Sequence, residues 1–249
     1  MATSKSGFQF KQFFIEHKHC AMKVGTDSIM LGSWVEPEQA QTILDIGTGS
    51  GLLSLMLAQK SLATAQILGI DVDADAIQQA SQNAVSCPWS EKLKFCQVSL
   101  QNLAQVPKLN QNFDLIVSNP PYFAQNPKSN VQNNQSAYST RVLARQTISL
   151  EHNELLQYVN IHLSQQGCFY CVLPEQNSDV FIQTALQHNL QLHKLLLVQS
   201  QPNSKITRVL LKFGRSLTCA QINRLTIYDK DKHYSDAYVN LCKAYYLRF

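Results

Sequence analysis

The middle of the chain alternates short apolar runs with segments that have helical periodicity. Five apolar runs predict strands, and they lie at 42–46, 66–70, 93–98, 113–117 and 167–173. Helical patterns lie at 52–59, 74–85, 151–163 and 175–188. Strands that alternate with helices are typical of parallel βαβ units. The pattern therefore predicts an α/β fold built around a parallel sheet.

The last third of the chain adds two more apolar runs, at 190–198 and 205–213, and a terminal helical pattern at 236–246. The two runs flank the polar turn sequence QSQPNS, which predicts an antiparallel hairpin. We therefore expect a Rossmann-like, seven-stranded, mostly parallel sheet with one antiparallel strand and helices on both faces. A topological switch between the first and fourth strands would place a ligand at their carboxyl ends.

One long segment has no apolar periodicity. Residues 124–146 are rich in Asn, Gln and Ser and contain the sequence NPKSNVQNNQSAYSTR. A loop of this length in a compact domain is usually functional or disordered. The pattern does not choose between these alternatives.

Composition limits the class of protein. The chain has 249 residues, of which 45% are apolar and 15% are charged. This suits one large α/β domain with additions, or at most two small domains. It has no run of about eighteen apolar residues and no recognisable leader, so we expect a soluble cytoplasmic protein. The seven cysteines are irregularly spaced. Cys168 and Cys171 form a CxxC motif in an apolar strand, and no histidine pair lies nearby to complete a zinc site. We therefore expect these cysteines to be buried apolar residues, and no metal is expected.

The positive charge is concentrated near the end of the chain. The whole chain has a net charge of +4, whereas residues 190–249 contain ten Lys and Arg against three acidic residues, a net +7. The remainder is net −3. A basic segment suits a polyanionic partner, but an ordinary solvated face would look the same.

A glycine loop follows the first predicted strand, with the sequence DIGTGSG at 45–51. Its glycine spacing is tighter than that of a dinucleotide site, which favours S-adenosylmethionine (SAM) over NAD. Asp71 ends the second strand in GIDVD, where a carboxylate can accept hydrogen bonds from ribose hydroxyls. Asp73 and Asp75, beside it, are interpreted as acidic residues at a helix N-terminus.

The sequence Asn119-Pro120-Pro121-Tyr122 follows the fourth strand. A planar amino nitrogen is a poor nucleophile because its lone pair is delocalised into the adjoining π-system. The Asn119 side-chain oxygen and the Pro120 carbonyl can accept its two N–H bonds, and consecutive prolines fix both acceptors in advance. Tyr122 offers a face on which a flat base can stack.

The sequences DIGTGSG, GIDVD and NPPY resemble motifs I, II and IV of class I SAM-dependent methyltransferases that modify amino nitrogens. The NPPY motif alone leaves adenine, guanine and protein glutamine open as acceptors. The N-terminal sequences FKQFF, CAMKVGTD and LGSW, with His17 between the first two, are similar to the bacterial valine-tRNA adenine-N6 methyltransferases, as are YSDAY and YYLRF near the end. That resemblance spans nearly the whole chain. It implies methylation of the adenine 3′ of the anticodon in one valine tRNA.

The resemblance also implies roles for individual residues. The implied cofactor-binding residues are Lys23, Thr26, Asp45, Gly47, Thr48, Gly49, Gly51, Asp71, Val72, Ser99 and Asn119. The implied catalytic residues are Asn119, Pro120, Pro121 and Tyr122. The implied tRNA contacts are Tyr122, Arg141 and Arg145, although Arg141 and Arg145 could equally be a surface pair at the start of a helix. Ser99 departs from the family, which commonly has Asp there for the cofactor's adenine amine; a serine oxygen can still accept a hydrogen bond.

We expect a single domain with an N-terminal cap at 1–40, which the resemblance places over the cofactor pocket, a core at 41–213 and a basic extension at 214–249. The sequence does not give the oligomeric state, although a monomer is favoured. Two alternatives remain. The acceptor could be a glutamine amide or a guanine N2 amine, because the NPPY motif can hold either group in the same way. The chain could also bind SAM and RNA as a chaperone without catalysis, although a complete NPPY motif argues against this.

Overall fold

The computed structural model describes residues 7–18, 23–107, 109–120 and 152–249, and these ranges contain ten β-strands and six α-helices. The strands are β1 (Gly7–Gln9), β2 (Phe14–Glu16), β3 (Thr42–Ile46), β4 (Gln66–Asp71), β5 (Leu93–Gln97), β6 (Phe113–Ser118), β7 (Leu163–Pro174), β8 (Gln191–Gln199), β9 (Ile206–Gly214) and β10 (Gln221–Thr226). The helices are α1 (Thr26–Trp34), α2 (Leu52–Lys60), α3 (Ala74–Val85), α4 (His152–His162), α5 (Ser178–Gln187) and α6 (Asp236–Cys242). Short 3₁₀ turns lie at Ser90–Lys92, Leu100–Gln105 and Glu175–Asn177.

Eight strands form one sheet in the order β10-β8-β9-β7-β6-β3-β4-β5. All neighbouring pairs are parallel except those of β9, which is antiparallel to both β7 and β8. The predicted α/β class, the hairpin and the single antiparallel strand are confirmed. β1 and β2 form a separate hairpin.

The predicted count of seven strands is wrong, because β10 adds an eighth strand at the edge of the sheet beside β8. Its sequence QINRLT has four exposed residues followed by the buried Leu225. An edge strand contacts one neighbour and needs little apolar surface. Its hydrophobic pattern is therefore too weak to predict a strand.

Packing on both faces of the sheet follows from alternation along the strands. In β3, Ile43 joins one buried cluster, whereas Leu44 and Ile46 join the other. The first cluster takes in α1, α2 and α6, and the second takes in α4 and α5. Seven consecutive residues of α2 are buried. These residues are buried on all sides because α1 covers the side of α2 that the sheet does not.

The N-terminal hairpin packs against the last residues of the chain. The Lys11 main-chain N–H donates to the Tyr245 carbonyl at 2.8 Å, and its Nζ donates to the carbonyls of Lys243 and Phe249 at 2.7 and 2.8 Å. The buried Tyr245 hydroxyl donates to the Met56 carbonyl on α2 at 2.9 Å. Residues from the predicted cap and the predicted extension therefore contact each other directly.

Cys168 and Cys171 lie three positions apart on β7 and therefore on opposite faces of the sheet. Cys171 is fully buried and Cys168 partly exposed. Within the described ranges, no three His, Cys, Asp or Glu side chains are grouped so that they could hold a metal ion. No helix in those ranges is long and apolar enough to cross a membrane.

Candidate active site

Three predicted motifs meet at one edge of the sheet. In the strand register, Ile46 at the end of β3 pairs with Ile70 on β4 and with Ser118 on β6. The glycine loop, Asp71 and Asn119 therefore start from neighbouring strand ends. At these strand ends the order of the strands reverses: β4 and β5 lie on one side of β3, and β6 and β7 lie on the other. Ligands bind at such a switch point in open α/β folds.

The glycine loop turns tightly between β3 and α2. Gly47, Gly49 and Gly51 have φ angles of 70°, 54° and 81°, a region that favours glycine. The N–H groups of Gly47 and Thr48 both donate to the Ile70 carbonyl at 2.9 Å, which fixes the start of the loop on β4. Among the described residues, a Cβ added at Gly47 or Gly49 would meet no atom within 4 Å apart from those of its chain neighbours. The described residues therefore leave room beside the main chain here for a ligand.

Asp45 is fully buried beneath this loop. Its Oδ2 accepts hydrogen bonds from Thr48 Oγ1 and Ser54 Oγ, both at 2.7 Å, and from the Ser54 main-chain N–H at 3.1 Å. Its Oδ1 is buried without a hydrogen-bond partner among the described residues. Burial raises the pKa of Asp45 to about 6, and the nearby Asp71 carboxylate adds to the rise, although the hydrogen bonds oppose it.

Asp71 supports the loop from the end of β4. Its Oδ2 accepts the Gly49 N–H at 2.9 Å, and its Oδ1 accepts the Asp73 N–H at 3.1 Å. Burial raises the pKa of Asp71 above its ordinary value, and the main-chain hydrogen bonds oppose that rise. Asp73 also caps α3, where its side chain accepts the Asp75 N–H at 2.9 Å, as predicted for an acidic residue at a helix N-terminus.

A cleft of about 330 Å³ lies beside Asp71, between the ends of β4 and β5. It is lined by Val72, Gln97, Val98, Ser99 and Asn102. The Gln97 side-chain amide donates to the Val72 carbonyl at 3.1 Å and closes one side of the cleft. Val72 and Ser99, both predicted to contact the cofactor, therefore line one recess.

Asn119 and Pro120 leave β6 at the same edge. Ser118, immediately before them, is buried and donates through its Oγ to the Ile46 carbonyl at 3.0 Å. This bond ties the end of β6 to the end of β3. The Asn119 Nδ2 donates to Ser28 Oγ on α1 at 2.8 Å. The first half of the predicted NPPY motif is thus held between the sheet and α1.

The donor and acceptor set fits SAM. Asp45 Oδ1, which has no hydrogen-bond partner in the described part of the chain, is an acceptor of the kind that an ammonium group needs. The Asp71 carboxylate suits ribose hydroxyls, and the cleft of about 330 Å³ at Val72 and Ser99 is large enough for a purine ring. A pyrophosphate would instead need several free main-chain N–H groups, but Gly47, Thr48 and Gly49 all donate within the protein.

Thr26 and Lys23 are the remaining predicted pocket residues in the described ranges. Thr26 is the first residue of α1, two residues before Ser28, and Lys23 is exposed just before that helix. Four predicted residues, Pro121, Tyr122, Arg141 and Arg145, lie outside the described residues, as does the 124–146 segment.

Two serines that complete the site were not predicted. Ser54, on α2, supplies two of the hydrogen bonds to Asp45, and Ser28, on α1, holds Asn119. Ser54 could have been found, because the first turn of the helix after a glycine loop must face that loop. Nothing in the sequence pairs Ser28 with a residue 91 positions away.

Part of the basic charge of 190–249 is paired within the protein. Three of its cations contact acids in the segment that includes and follows α1. The pairs are Lys194–Glu36 at 2.6 Å, Arg208–Asp27 at 2.8 Å and Lys212–Glu38 at 3.5 Å. Arg215 is also occupied, since it donates to the carbonyls of Asn160 and Leu163. The exposed basic residues are Lys205, Arg224, Lys230, Lys232, Lys243 and Arg248.

Comparison with known proteins first identifies the class. A family model described as a methyltransferase domain matches residues 37–225. A predicted O-methyltransferase from Agrobacterium tumefaciens superposes with a TM-score of 0.64 at 14% identity, over 88% of this chain and 96% of that one. The glycopeptide N-methyltransferase MtfA, solved with SAM, superposes with a TM-score of 0.53 at 10% identity, over 76% and 95%. The fold and the family model define a Rossmann-like methyltransferase domain.

Closer relatives identify the family. A protein from Pseudoalteromonas atlantica is 47% identical over 266 residues, which cover 98% of this chain and 99% of that protein. One from Aeromonas hydrophila is 37% identical over 243 residues, which cover 98% of each. Both are named tRNA1(Val) (adenine(37)-N6)-methyltransferase. The chain belongs to this family, which confirms the resemblance of its motifs.

The buried Asp45 predicts a pH-dependent stability effect. The folded pKa of about 6 exceeds the ordinary value of 3.8, so the folded state holds a proton that the unfolded state releases between these pH values. Stability is therefore lost as pH rises through this window. Asp45→Asn should raise the free energy of unfolding without ligand by up to about 3 kcal/mol at pH 7.5. Urea unfolding at pH 7.5 and 4.5 measures the difference in the free energy of unfolding between Asp45→Asn and the wild type. This difference should be smaller at pH 4.5.

Asp114 provides the matched control, since hydrogen bonds from Gln41 and Thr42 outweigh partial burial and lower its pKa. Asp114→Asn should destabilise the protein at pH 7.5, the opposite sign to Asp45→Asn. Calorimetry on the Asp45 variant should also show weaker SAM binding. If Asp45→Asn has a lower free energy of unfolding than the wild type at pH 7.5, burial of the Asp45 carboxylate does not destabilise the protein.

Proposed function

We propose that this protein transfers a methyl group from SAM to the exocyclic N6 of an adenine in tRNA, adenine-37 next to the anticodon of a valine tRNA. The observation that carries the proposal is the position of Asn119 and Pro120 at the end of β6, beside the glycine loop and Asp71. The near-full-length relatives named for this reaction support the choice of acceptor.

SAM supplies a methyl group on a positively charged sulfur, which makes that carbon electrophilic without further activation. The protein's task is to hold the poorly nucleophilic amine. Asn119 Oδ1 and the Pro120 carbonyl accept hydrogen bonds from its two N–H groups. These two acceptors stabilise the nitrogen as its geometry changes from planar to tetrahedral. The ring of Pro120 fixes its φ angle, so that acceptor is in place before the base arrives.

The cofactor half of the site divides among three features. Asp71 would accept hydrogen bonds from the ribose hydroxyls, and the buried Asp45 would supply a negative charge for the ammonium group. The cleft beside Val72 would hold the adenine ring, with Ser99 Oγ as the acceptor for its amine in place of the aspartate common in the family. Thr26 and Lys23 would complete the pocket from the side of α1.

Contacts with tRNA are assigned to the exposed cations of the C-terminal segment together with Arg141 and Arg145, which would bind phosphates. Tyr122 would stack on the target base, whose position in a loop lowers the cost of turning it outward. We propose a cytoplasmic monomer with one domain: a cap at 1–40, a core at 41–213 and a basic extension at 214–249. The place of β10 in the main sheet favours a single domain.

The test incubates the purified protein and methyl-labelled SAM with total tRNA, and in parallel with total protein, then digests labelled RNA to nucleosides. N6-methyladenosine confined to valine tRNA is the expected result. Label on a protein glutamine, or N2-methylguanosine in RNA, would replace the proposed acceptor with one of its alternatives. RNA binding without any label would indicate a chaperone.

A further inference from the structure

The side-chain amide of Asn119 is held from the side of α1. Its Nδ2 donates to Ser28 Oγ at 2.8 Å. An asparagine amide has one donating end and one accepting end. Because the donating nitrogen is directed at α1, the Oδ1 end is turned away from that helix. The bond to Ser28 therefore helps to hold the amide with its Oδ1 end on the side opposite α1.

Helix α1 is itself fixed at both ends. At its start, Asp27 Oδ2 accepts a hydrogen bond from Arg208 Nε on β9 at 2.8 Å. At its end, Lys60 Nζ on α2 donates to the carbonyls of Ser33, at 3.0 Å, and Val35. Four consecutive residues at the centre of the helix are buried. The Ser28 hydroxyl is therefore presented from a rigid support.

We propose that Ser28 is a positioning residue for methyl transfer, which orients the Asn119 amide so that Oδ1 accepts an N–H of the target amine. The inference rests on the proposed function, since it assumes an amine acceptor. A rotated amide would turn its own N–H groups toward an amine that also donates, and the acceptor would be lost. Errors in this orientation would slow the chemical step and leave cofactor binding intact.

Three variants of the full chain test this role. Ser28→Ala removes the hydroxyl, and Ser28→Thr keeps it. Ser33→Ala removes a hydroxyl from the same helix, where that group lies beside Cys242 instead of Asn119. We expect Ser28→Ala to lower kcat about tenfold, because one positioning hydrogen bond is lost. The KM for SAM should be unchanged. Ser28→Thr should restore turnover, and Ser33→Ala should leave it at the wild-type level.

A second measurement does not depend on turnover. The side-chain NH₂ signals of Asn119, assigned by their absence in Asn119→Ala, should shift and exchange faster with solvent in Ser28→Ala but not in Ser33→Ala. Wild-type kcat or unchanged NH₂ signals in Ser28→Ala would overturn the role of Ser28. If the wild type methylates no tRNA, the proposed function has failed, and the NH₂ signals still decide whether Ser28 orients Asn119.

Discussion

Replacing Asn119 with alanine is expected to lower kcat for methyl transfer by about a hundred- to a thousandfold, the range found when one preorganised hydrogen-bonding group is removed from an active site. The variant keeps the Pro120 carbonyl but loses the acceptor that α1 holds in place. The lost bond to Ser28 costs about 1 kcal/mol of stability, too little to unfold a typical domain. Single-turnover kinetics with saturating SAM measure the effect on the chemical step.

Asn112 provides the matched control for this substitution. It is exposed just before the other end of β6, and Asn112→Ala should leave turnover unchanged. Calorimetry should give the same SAM affinity for Asn119→Ala as for the wild type. Wild-type turnover in Asn119→Ala would rule out its role as an acceptor, whereas a parallel fall in SAM affinity would move Asn119 from the target amine to the cofactor.

Much of the site could be predicted because its parts lie where apolar runs stop. The ends of β3, β4 and β6 are each marked by a change from buried residues to glycine, aspartate or asparagine. Since parallel strands end at a common edge, three local patterns were sufficient to bring the glycine loop, Asp71 and Asn119 together.

The contacts between distant segments could not be predicted in the same way. The hydrogen bond from Asn119 to Ser28 and the ion pair between Arg208 and Asp27 depend on where α1 lies across the sheet. Periodicity predicts a helix but not the direction in which it packs. The charge count of 190–249 likewise suggested a basic face, whereas several of its cations stabilise the fold.

Asp71→Ala is expected to weaken SAM binding by about a hundredfold or more, because each hydrogen bond to a charged group contributes roughly 1.5–3 kcal/mol and the ribose offers two hydroxyls. Asp75→Ala is the matched control, since it removes an exposed carboxylate four positions along the same segment. Its SAM affinity should match the wild type. Isothermal titration calorimetry with SAM compares the three proteins, and an unchanged affinity in Asp71→Ala would refute the ribose role.

A second substitution separates ribose binding from support of the glycine loop. The Asp71 carboxylate also accepts the Gly49 N–H at 2.9 Å, so alanine removes a loop contact together with the proposed ligand contact. Asp71→Asn keeps one oxygen for Gly49 but replaces the other, which accepts the Asp73 N–H outside the glycine loop, with an N–H donor. If loop support dominates, the asparagine variant should bind SAM nearly as well as the wild type. If the ribose contact dominates, as we propose, its affinity should fall most of the way toward that of Asp71→Ala.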